Sequence, residues 1–357
     1  MRIAQITDLH ARYALPNSSR FPVRRSRNIR PLFSRALEIL KKEWRVDLLL
    51  ITGDLVDVPF YAIERRDPDI LSLATEDYLW IYRCLEDNGI PYLAFWGNHD
   101  DKDTFQHVFP LPPLECALRD STFGTMDLVI PSTSRGDGGT RPFPSSTDTL
   151  MFQTFPFDEE QLDHYPYRDL SRYPELAPGL GDTVHVQHYV VAPNLNDFYP
   201  HTYRNAADIL RWNRSHGVTL SISGHYHPGY PPLQVEGTWY VTGAAFCEYP
   251  YPVYLFEYPA QGPHSPFRIT TLRMADFVPL PPLTTITLPN PPSGEPYSAA
   301  EIEDPFENFP IPAGATVGLI LPPGVSEEEY DKLWIKWSHL GKEKGITLEG
   351  VYPSSES

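Results

Sequence analysis

The sequence predicts an α/β fold in which helices cover β-sheets, followed by a small strand-helix-strand unit near the C-terminus. Two observations favour this class: apolar strands alternate with amphipathic helices in the N-terminal part, and polar side chains follow several strands at their carboxyl ends. The chain has 357 residues, of which 41% are hydrophobic and 13% aromatic. It is therefore long and apolar enough to bury a large core.

The N-terminal part predicts three strands separated by helices. The predicted strands cover residues 2–7, 47–52 and 91–96, and their continuous apolar character is typical of strands covered on both faces. Apolar residues recur at helical spacing over residues 32–44. A second helix is predicted over residues 74–88, and Gly89 is expected to end it.

The middle of the chain is less regular. Proline, glycine, serine and threonine accumulate over residues 132–149, which predicts a long surface loop. We expect a helix to begin near Asp158 and another to cover residues 206–216. Further strands are predicted over residues 183–187, 219–223, 238–242 and 253–258, the last two as part of a second sheet layer.

A change in composition after Phe277 divides the chain into three parts. Residues 1–276 form the predicted main domain, residues 277–314 a proline-rich connector with little helix or sheet of its own, and residues 315–357 a small α+β appendage. Within the appendage we predict a strand at 315–321, a helix at 326–344 and a strand at 346–352. Because this unit is too small to bury a core alone, it should dock on the main domain or join two copies of the chain as a homo-oligomer.

Charge and cysteine usage restrict the classes of function. The chain has 46 acidic and 29 basic residues, a net charge of −17, which disfavours nucleic-acid binding. A small anionic substrate is still allowed, because a bound metal can dominate the local charge. The three cysteines are far apart and fit a reducing compartment. With no leader peptide and no long apolar run, these features predict a cytoplasmic protein without membrane association.

Polar side chains that can bind metals follow five of the predicted strands. Gly97 permits a sharp turn that presents Asn98, His99 and Asp100. The other candidates are Asp8, His10, Asp54, His188, His225 and His227. Carboxylate, amide and imidazole ligands without cysteine suit Mn, Fe, Zn or Co. They outnumber the ligands of one tetrahedral ion, and a carboxylate such as Asp54 could bridge two ions.

In this order, the motifs resemble those of the calcineurin-like metallophosphoesterases. The matching segments are Asp8-Leu9-His10, Gly53-Asp54-Leu55-Val56-Asp57, Gly97-Asn98-His99-Asp100, His188 and Gly224-His225-Tyr226-His227. The resemblance spans about residues 1–258. It implies a four-layer α-β-β-α sandwich with a binuclear centre of divalent or trivalent Mn, Fe, Zn or Co ions.

The resemblance also implies a role for each residue. Asp8, His10, Asp54 and His227 would hold one ion; Asp54 as bridge, Asn98, His188 and His225 would hold the other. His99 would face the phosphoryl group and stabilise or protonate the leaving oxygen, and Asp57 would orient its imidazole. A metal-bridging hydroxide would be the nucleophile.

Three candidates have competing structural interpretations. The assignment of His188 competes with His185 on the same strand and with His201 further on, although His185 is expected to point away from the site. Asp100 could contact the site or cap the following helix. The arginine-rich segment 20–30 could attract an anionic substrate or be a solvated loop.

The segment Gly-Asn-His-Asp-Asp-Lys, with Phe105 after it, resembles single-chain cyclic-nucleotide and glycerophosphodiester phosphodiesterases more than protein phosphatases. It implies hydrolysis of a small phosphodiester. The alternatives are a phosphomonoesterase acting on a phosphorylated metabolite, a non-catalytic scaffold of the same fold, and a DNA-end nuclease, which the charge disfavours. Substrate choice and oligomer contacts are expected in residues 132–149 and 164–182 and beyond Phe277.

Overall fold

The computed structural model of the protein describes residues 1–120, 126–129, 149–174, 182–196, 199–258, 267–290, 302–307 and 309–354. All but the last residue of the predicted surface loop 132–149 lie outside these ranges, as do residues 175–181 of the segment 164–182. The predictions about substrate choice in those two segments therefore stay predictions.

The described residues form helices and strands in mixed order. The helices are α1 (Ile29–Lys42), α2 (Phe60–Arg65), α3 (Pro68–Asn88), α4 (Lys102–Val108), α5 (Ala206–Ser215) and α6 (Glu327–Glu343). The strands of the N-terminal half are β1 (Arg2–Ile6), β2 (Leu48–Thr52), β3 (Tyr92–Phe95), β4 (Glu115–Asp120), β5 (Met126–Val129), β6 (Thr149–Thr154), β7 (Glu159–Glu160) and β8 (Pro166–Tyr167). Those that follow are β9 (Asp182–Val186), β10 (Val218–Ser223), β11 (Tyr230–Val235), β12 (Thr238–Thr242), β13 (Pro252–Glu257), β14 (Arg268–Arg273), β15 (Leu283–Thr287), β16 (Thr316–Leu321) and β17 (Thr347–Pro353).

The main body contains two sheets packed face to face. The first has the strand order β14-β13-β1-β2-β3, and the second has the order β11-β12-β10-β9-β6-β4-β5. In the first sheet, β1, β2 and β3 are parallel and β13 is antiparallel to β1. In the second, β6, β9, β10 and β12 are parallel neighbours. Parallel strands bring their carboxyl ends, and the loops that follow them, to one edge of each sheet.

Alternation along the strands creates the layers. Leu48 and Leu50 of β2 face the second sheet, whereas Leu49 and Ile51 face a core formed with α1 and α3. Ile209 of α5 packs with other apolar side chains on the far side of the second sheet. The layers are therefore helices, sheet, sheet and helix, which confirms the predicted α-β-β-α sandwich.

One strand lies in a different sheet from the one predicted. The strand predicted over residues 253–258 is β13, which pairs with β1 in the first sheet rather than joining the second. Its apolar side chains point both ways, with Val253 and Leu255 in the helix-covered core and Phe256 between the sheets. A strand with two apolar faces requires cover on both sides, and the first sheet provides it.

The helix expected to begin near Asp158 is absent from that stretch, where β7 pairs with β8. The Asp158 carboxylate caps no helix because it accepts hydrogen bonds from Arg168, Tyr173 and Tyr203. The helix predicted over residues 74–88 is longer than expected. Asp67 caps its N-terminus by accepting from the backbone N–H groups of residues 69 and 70, and Gly89 ends it with φ of 73°.

We use the name C-terminal unit for β15, β16, β17 and α6, which form a parallel three-stranded sheet with one covering helix. Trp337 of α6 is fully buried between this helix and the sheet. Strand β15 falls within the predicted connector 277–314, which therefore contributes sheet of its own. The connector prediction missed it because three of the five residues in this strand are threonines, which gives it little apolar character.

The C-terminal unit docks on the main body of its own chain. The side-chain amide of Asn17 donates to the carbonyl of Val351 at 3.0 Å and accepts from the Val351 N–H at 2.8 Å. The Asn28 amide donates to the Glu349 carboxylate at 2.7 Å. These contacts fulfil one of the two predicted docking arrangements, and association of two copies stays a prediction.

The described helices include none with the length and apolar character needed to cross a lipid bilayer. Cys84, Cys116 and Cys247 are all free thiols, as expected from their separation in the sequence. The cytoplasmic location predicted from them stays a prediction.

Candidate metal centre

The predicted site residues lie together at one edge of the two sheets. They occupy the loops that follow β1, β2 and β3 of the first sheet and β9 and β10 of the second. The side chains gathered there belong to Asp8, His10, Asp54, Asp57, Asn98, His99, His188, His225 and His227. The loops therefore bring all the residues predicted from the motifs into one cluster.

Several residues of these loops have unusual backbone conformations. Asp8, His10, Asp54 and His225 have φ values of 53°, 45°, 52° and 68°, in the left-handed region that side chains with a Cβ rarely adopt. Such conformations carry a cost in free energy and persist where the surrounding structure imposes them. Here they turn the polar side chains toward one another at the ends of the strands.

Two motif glycines permit the close approach of these loops. A Cβ atom at Gly97 would lie 2.1 Å from Oδ1 of Asp54, and a Cβ atom at Gly224 would lie 1.9 Å from Oγ1 of Thr7. Both distances are too short for any side chain. Glycine is therefore required at these positions for the loops to pack around the cluster.

The first group of candidate ligands is Asp8, His10, Asp54 and His227. One ligand atom from each lies within 4.8 Å of the others. Nε2 of His10 is 3.4 Å from Oδ2 of Asp54 and 3.0 Å from Nε2 of His227. Nε2 of His227 is 3.6 Å from Oδ1 of Asp8. The four side chains thus converge on a single small volume.

The second group lies on the other side of Asp54. Asp54, His188 and His225 offer ligand atoms that also lie within 4.8 Å of one another. Nε2 of His188 is 3.5 Å from Oδ1 of Asp54 and 3.2 Å from the side-chain oxygen of Asn98. Asp54 belongs to both groups, so two adjacent sites share one carboxylate.

Two of these histidines are oriented by a hydrogen bond from the other ring nitrogen. Nδ1 of His188 lies 2.7 Å from the carbonyl oxygen of Thr52, and Nδ1 of His227 lies 2.6 Å from Oε1 of Glu248. Each acceptor leaves Nε2 directed at the cluster with its lone pair available. Sequence reasoning missed Glu248, because it follows none of the motifs and lies 21 positions beyond His227.

The protonation states of three of the histidines fit metal binding. Burial lowers the pKa of His10 to about 3 and lowers the pKa values of His225 and His227 well below the ordinary value, so these imidazoles are neutral. Burial alone would raise the pKa of Asp54, but the surrounding histidines, His188 foremost, lower it. Burial raises the pKa of Asp8 to about 7.

Two buried polar atoms test whether metal ions fit this cluster. Oδ1 of Asp8 and Nε2 of His225 have no hydrogen-bond partner among the described residues. Burying an acceptor without a partner is costly, and a bound cation would remove that cost. Neutral imidazole, carboxylate and amide oxygen are also the ligands preferred by Mn, Fe, Zn and Co. The residues present therefore fit two ions.

His99 lies beside both groups. Its Nδ1 is 2.7 Å from Oδ1 of Asp57, and its backbone N–H donates to Oδ1 of Asp54 at 2.9 Å. The ring stands edge-on to His10 at a centroid distance of 4.6 Å. Its side chain is 20% exposed, more than that of any of the buried ligands it adjoins. Because Asp57 engages Nδ1, the other ring nitrogen is the one available to a substrate.

Other candidates from the sequence have structural roles. Asp100 does not cap the following helix; Asp101 does, by accepting from the backbone N–H of Thr104. The Asp100 carboxylate instead accepts from backbone N–H groups of the loops after β2 and β3. His185 packs against Phe155 and lies outside both ligand groups.

The arginine-rich segment 20–30 is neither a solvated loop throughout nor buried throughout: Arg24 and Arg25 are buried, Arg27 and Arg30 are half-buried, and Arg20 is exposed. Arg27 donates to the carbonyls of Arg12, Leu15 and Asn17, which fixes the path of the chain after β1. Nε of Arg24 lies 3.7 Å from Glu248, next to the cluster. The physical reason is that these guanidinium groups satisfy loop carbonyls and carboxylates that would otherwise be buried without partners.

Cys247 also lies near the first group, within 4.8 Å of ligand atoms of His10 and His227. Burial raises the pKa of its thiol well above the ordinary value. A thiol that stays protonated is not a reactive nucleophile, and Cys247 fits the role of a small buried apolar residue.

Comparison with known proteins identifies the family of this chain. Residues 1–229 match the family described as calcineurin-like phosphoesterase. A relative described as a "Probable cyclic nucleotide phosphodiesterase", from Psychrobacter arcticus, is 33% identical over 104 residues, which cover 29% of this chain and 32% of the relative. The chain therefore matches about a third of that relative's length.

Solved structures of similar fold include a dimetal phosphatase from Danio rerio and a 5'-nucleotidase precursor from Thermus thermophilus. Both are 14% identical to this chain and cover 77% of it; the match covers 99% and 54% of their own chains, with TM-scores of 0.43 and 0.35. The family match extends over more than half of the sequence and includes every strand-end motif. The chain belongs to the calcineurin-like phosphoesterases, a family of metal-dependent phosphoester hydrolases.

Proposed function

We propose that the protein is a binuclear-metal phosphodiesterase that hydrolyses a small phosphodiester of the cyclic-nucleotide or glycerophosphodiester type. The observation that carries the proposal is the pair of ligand groups that share Asp54, with His99 at their side. Two-metal sites of this kind suit displacement at phosphorus, because ions about 3.5–4 Å apart can stabilise both the attacking and the leaving oxygen.

In this proposal the two ligand groups hold one ion each. Asp8, His10, Asp54 and His227 would bind the first, and Asp54, Asn98, His188 and His225 the second. When bound, such ions supply Lewis acidity to the phosphoryl group and lower the pKa of water. Glu248 and the Thr52 carbonyl hold the imidazoles of His227 and His188 in the orientation that this requires.

His99 is proposed to act on the leaving oxygen. Burial alone would lower the pKa of His99, but the carboxylates of Asp54 and Asp57 raise it above its ordinary value. The imidazole can therefore carry a proton near neutral pH. With Nδ1 engaged by Asp57, that proton is presented on Nε2, where it can stabilise or protonate an alkoxide as the ester bond breaks.

Two observations support a diester with an organic leaving group. The ring of Phe60 lies 5.3 Å from the His99 ring and is 47% exposed, so it offers an apolar surface next to the leaving oxygen. The local likeness to a relative described as a probable cyclic nucleotide phosphodiesterase points the same way. The substrate is expected to be a small anionic ester rather than a nucleic acid, because the net charge is −17.

The proposal is tested by hydrolysis of a chromogenic diester, bis-(p-nitrophenyl) phosphate, and of the matching monoester. Protein stripped by a chelator is assayed alone and after addition of Mn, Zn, Fe or Co. We expect no turnover without metal and restored turnover on the diester that exceeds turnover on the monoester. Cyclic nucleotides and glycerophosphodiesters are then compared as natural substrates.

Two results would count against the proposal. Restored turnover mainly on the monoester would identify a phosphomonoesterase that acts on a phosphorylated metabolite. Turnover on neither ester, in protein that binds two ions, would favour a non-catalytic scaffold of the same fold. As a control, the Asp54→Ala variant should remain inactive under every condition, because it lacks the carboxylate shared by both groups.

A further inference from the structure

We propose that the C-terminal unit positions the His99–Asp57 pair, acting through Asp331 and Arg12. The inference rests on the proposed role of His99 and extends it to a part of the chain outside the family match, which ends at residue 229. Asp331 is a positioning residue in this account, because it contacts neither the ligand groups nor His99 directly.

A continuous line of charged side chains connects α6 to the site. Oδ1 of Asp331 accepts from Nη2 of Arg12 at 3.3 Å, although the two residues are 319 positions apart. Nη1 of the same arginine lies 3.9 Å from Oδ2 of Asp57. The other oxygen of Asp57, Oδ1, is 2.7 Å from Nδ1 of His99. Three contacts therefore lead from the C-terminal unit to the imidazole.

The side chains in this line are removed from solvent. Arg12 is 2% exposed and Asp331 is 3% exposed. Charges buried to this degree interact strongly and keep a fixed geometry when each has a partner. An ion pair exposed at the surface would contribute little to stability. In this buried arrangement, by contrast, the position of Asp331 can determine the positions of Arg12 and Asp57.

The two carboxylates divide the guanidinium between them. Nη2 of Arg12 lies 3.3 Å from Oδ1 of Asp331, whereas Nη1 of Arg12 lies 3.9 Å from Oδ2 of Asp57. The guanidinium is therefore closer to Asp331 than to Asp57. Oδ1 of Asp57 consequently stays turned to the imidazoles, 2.7 Å from Nδ1 of His99 and 3.5 Å from Nδ1 of His10. Without the Asp331 charge, Nη2 of Arg12 would keep only the Pro16 carbonyl at 2.9 Å. Nη1 could then move closer to Asp57, and the imidazole of His99 would lose its fixed orientation.

The same helix also holds the segment that carries Phe60. The Tyr61 hydroxyl donates to Oδ2 of Asp331 at 2.9 Å, and the Phe60 backbone N–H donates to Oε2 of Glu327 at 3.1 Å. Both acceptors lie on the first turns of α6. Phe60 contacts the His99 ring, so α6 fixes two sides of the imidazole at once.

The test compares Asp331→Asn with wild type on diesters whose leaving groups differ in pKa. A leaving group that departs as a stable anion, such as p-nitrophenolate, needs no proton, whereas an alkoxide does. We expect Asp331→Asn to lower kcat about tenfold on an alkyl diester and to change kcat on the p-nitrophenyl diester less than about twofold, since acid catalysis supplies 10²–10⁴ in all. KM should change little.

Three further variants make the comparison specific. Glu328→Gln removes the 2.6 Å pair between Glu328 and Arg65 at the same interface without touching Arg12, and should leave both rates at wild-type values. Asp331→Glu restores the charge and should recover part of the alkyl-diester rate. Tyr61→Phe deletes the hydroxyl that holds Asp331 and should reproduce the selective loss in a milder form.

A second readout does not depend on turnover. The ¹⁵N signals of the His99 imidazole are assigned by comparison with His99→Ala. In Asp331→Asn the chemical shift of Nδ1 should change in the direction of a weaker hydrogen bond to Asp57, and in Glu328→Gln it should not change. Metal content of each variant should equal that of wild type, and each variant should be folded under the assay conditions; Asp331→Asn is expected to unfold more readily because the buried Arg12 loses a charged partner. An Asp331→Asn protein that unfolds or loses metal is replaced by Tyr61→Phe in the same comparison.

The outcomes separate this inference from the proposed function. If His99→Ala is selectively slow on the alkyl diester while Asp331→Asn and Tyr61→Phe behave like wild type, the positioning role is wrong and the proposed function stands. If His99→Ala shows no selective loss, the role assigned to His99 is wrong. Equal losses of Asp331→Asn on both diesters would indicate a purely structural residue and would also overturn the inference.

Discussion

At the scale of single residues, Glu248 shows how the centre depends on side chains outside the motifs. Its carboxylate lies 2.6 Å from Nδ1 of His227, whose other ring nitrogen faces Asp8 and His10. An acceptor at this position fixes the tautomer of the imidazole and makes it a better ligand. His227 belongs to the first ligand group and to no part of the second.

Replacing Glu248 by glutamine should therefore weaken one ion selectively. We expect the affinity for the first ion to fall about 10–100-fold, with the second unchanged, because carboxylates that orient a ligand have effects of that size. Calorimetric titration of stripped protein with Mn²⁺ measures both steps. The matched control is Glu236→Gln, a substitution at an exposed residue that pairs with Arg214. Equal affinity for both ions in Glu248→Gln and wild type would contradict this account of His227.

The side chains that meet at the centre could be predicted from the sequence, because each lies in the loop directly after a strand. The carboxyl end of that strand determines where the side chain is placed. Glu248 and Asp331 could not be found in this way. Glu248 approaches His227 from the loop after β12, and Asp331 approaches Arg12 from a helix 319 positions away. Contacts of this kind depend on tertiary packing, and a single sequence carries no periodic or spacing signal for them.

At the scale of structural elements, one carboxylate joins the loops that follow β2 and β3. Asp100 accepts from the backbone N–H groups of Leu55, Val56 and Gly97 at 3.1, 2.9 and 2.8 Å, and from the Tyr78 hydroxyl at 2.8 Å. These loops carry Asp54 and His99. Asp100 therefore fixes the loop that carries Asp54 relative to the loop that carries His99.

Deleting this carboxylate should destabilise the protein more than deleting its neighbour. Asp100→Ala leaves several buried donors without an acceptor, and we expect it to lower the free energy of unfolding by about 3 kcal/mol or more. The control is Asp101→Ala, which removes a helix N-cap and should cost about 1 kcal/mol. Urea unfolding of metal-stripped protein measures both without a contribution from bound ions. Equal losses in the two variants would show that Asp100 has no special role between the loops.

Elements were predicted well where apolar periodicity was strong and less well where tertiary contacts decide. Strands β1, β2 and β3 lie within a residue or two of their predicted limits because both of their faces are buried. The start of α3 was placed too late, since its first turns are partly exposed and only the Asp67 cap marks them. The prediction of a helix after Asp158 was wrong, because Arg168 donates a hydrogen bond to the carboxylate that would have capped the helix.

At the scale of the whole molecule, the two sheets and the C-terminal unit surround one site. The sheets each contribute loops from the ends of parallel strands, and the C-terminal unit approaches from the side of α2 and His99. The sandwich was predictable because its motifs occur in a characteristic order. The place where the C-terminal unit docks was not, since its contacts with Asn17, Asn28 and Arg12 are polar and leave no apolar pattern in the sequence.

A binuclear centre can be tested by counting the metal ions bound to each folded chain. Stripped protein is reloaded with Mn²⁺, freed of excess metal by gel filtration, and its metal and protein contents are measured. We expect two ions per chain for wild type and loss from both sites in Asp54→Ala, because Asp54 is the residue that the two groups share. A single ion per wild-type chain, or two ions retained by Asp54→Ala, would contradict a binuclear centre bridged by that carboxylate.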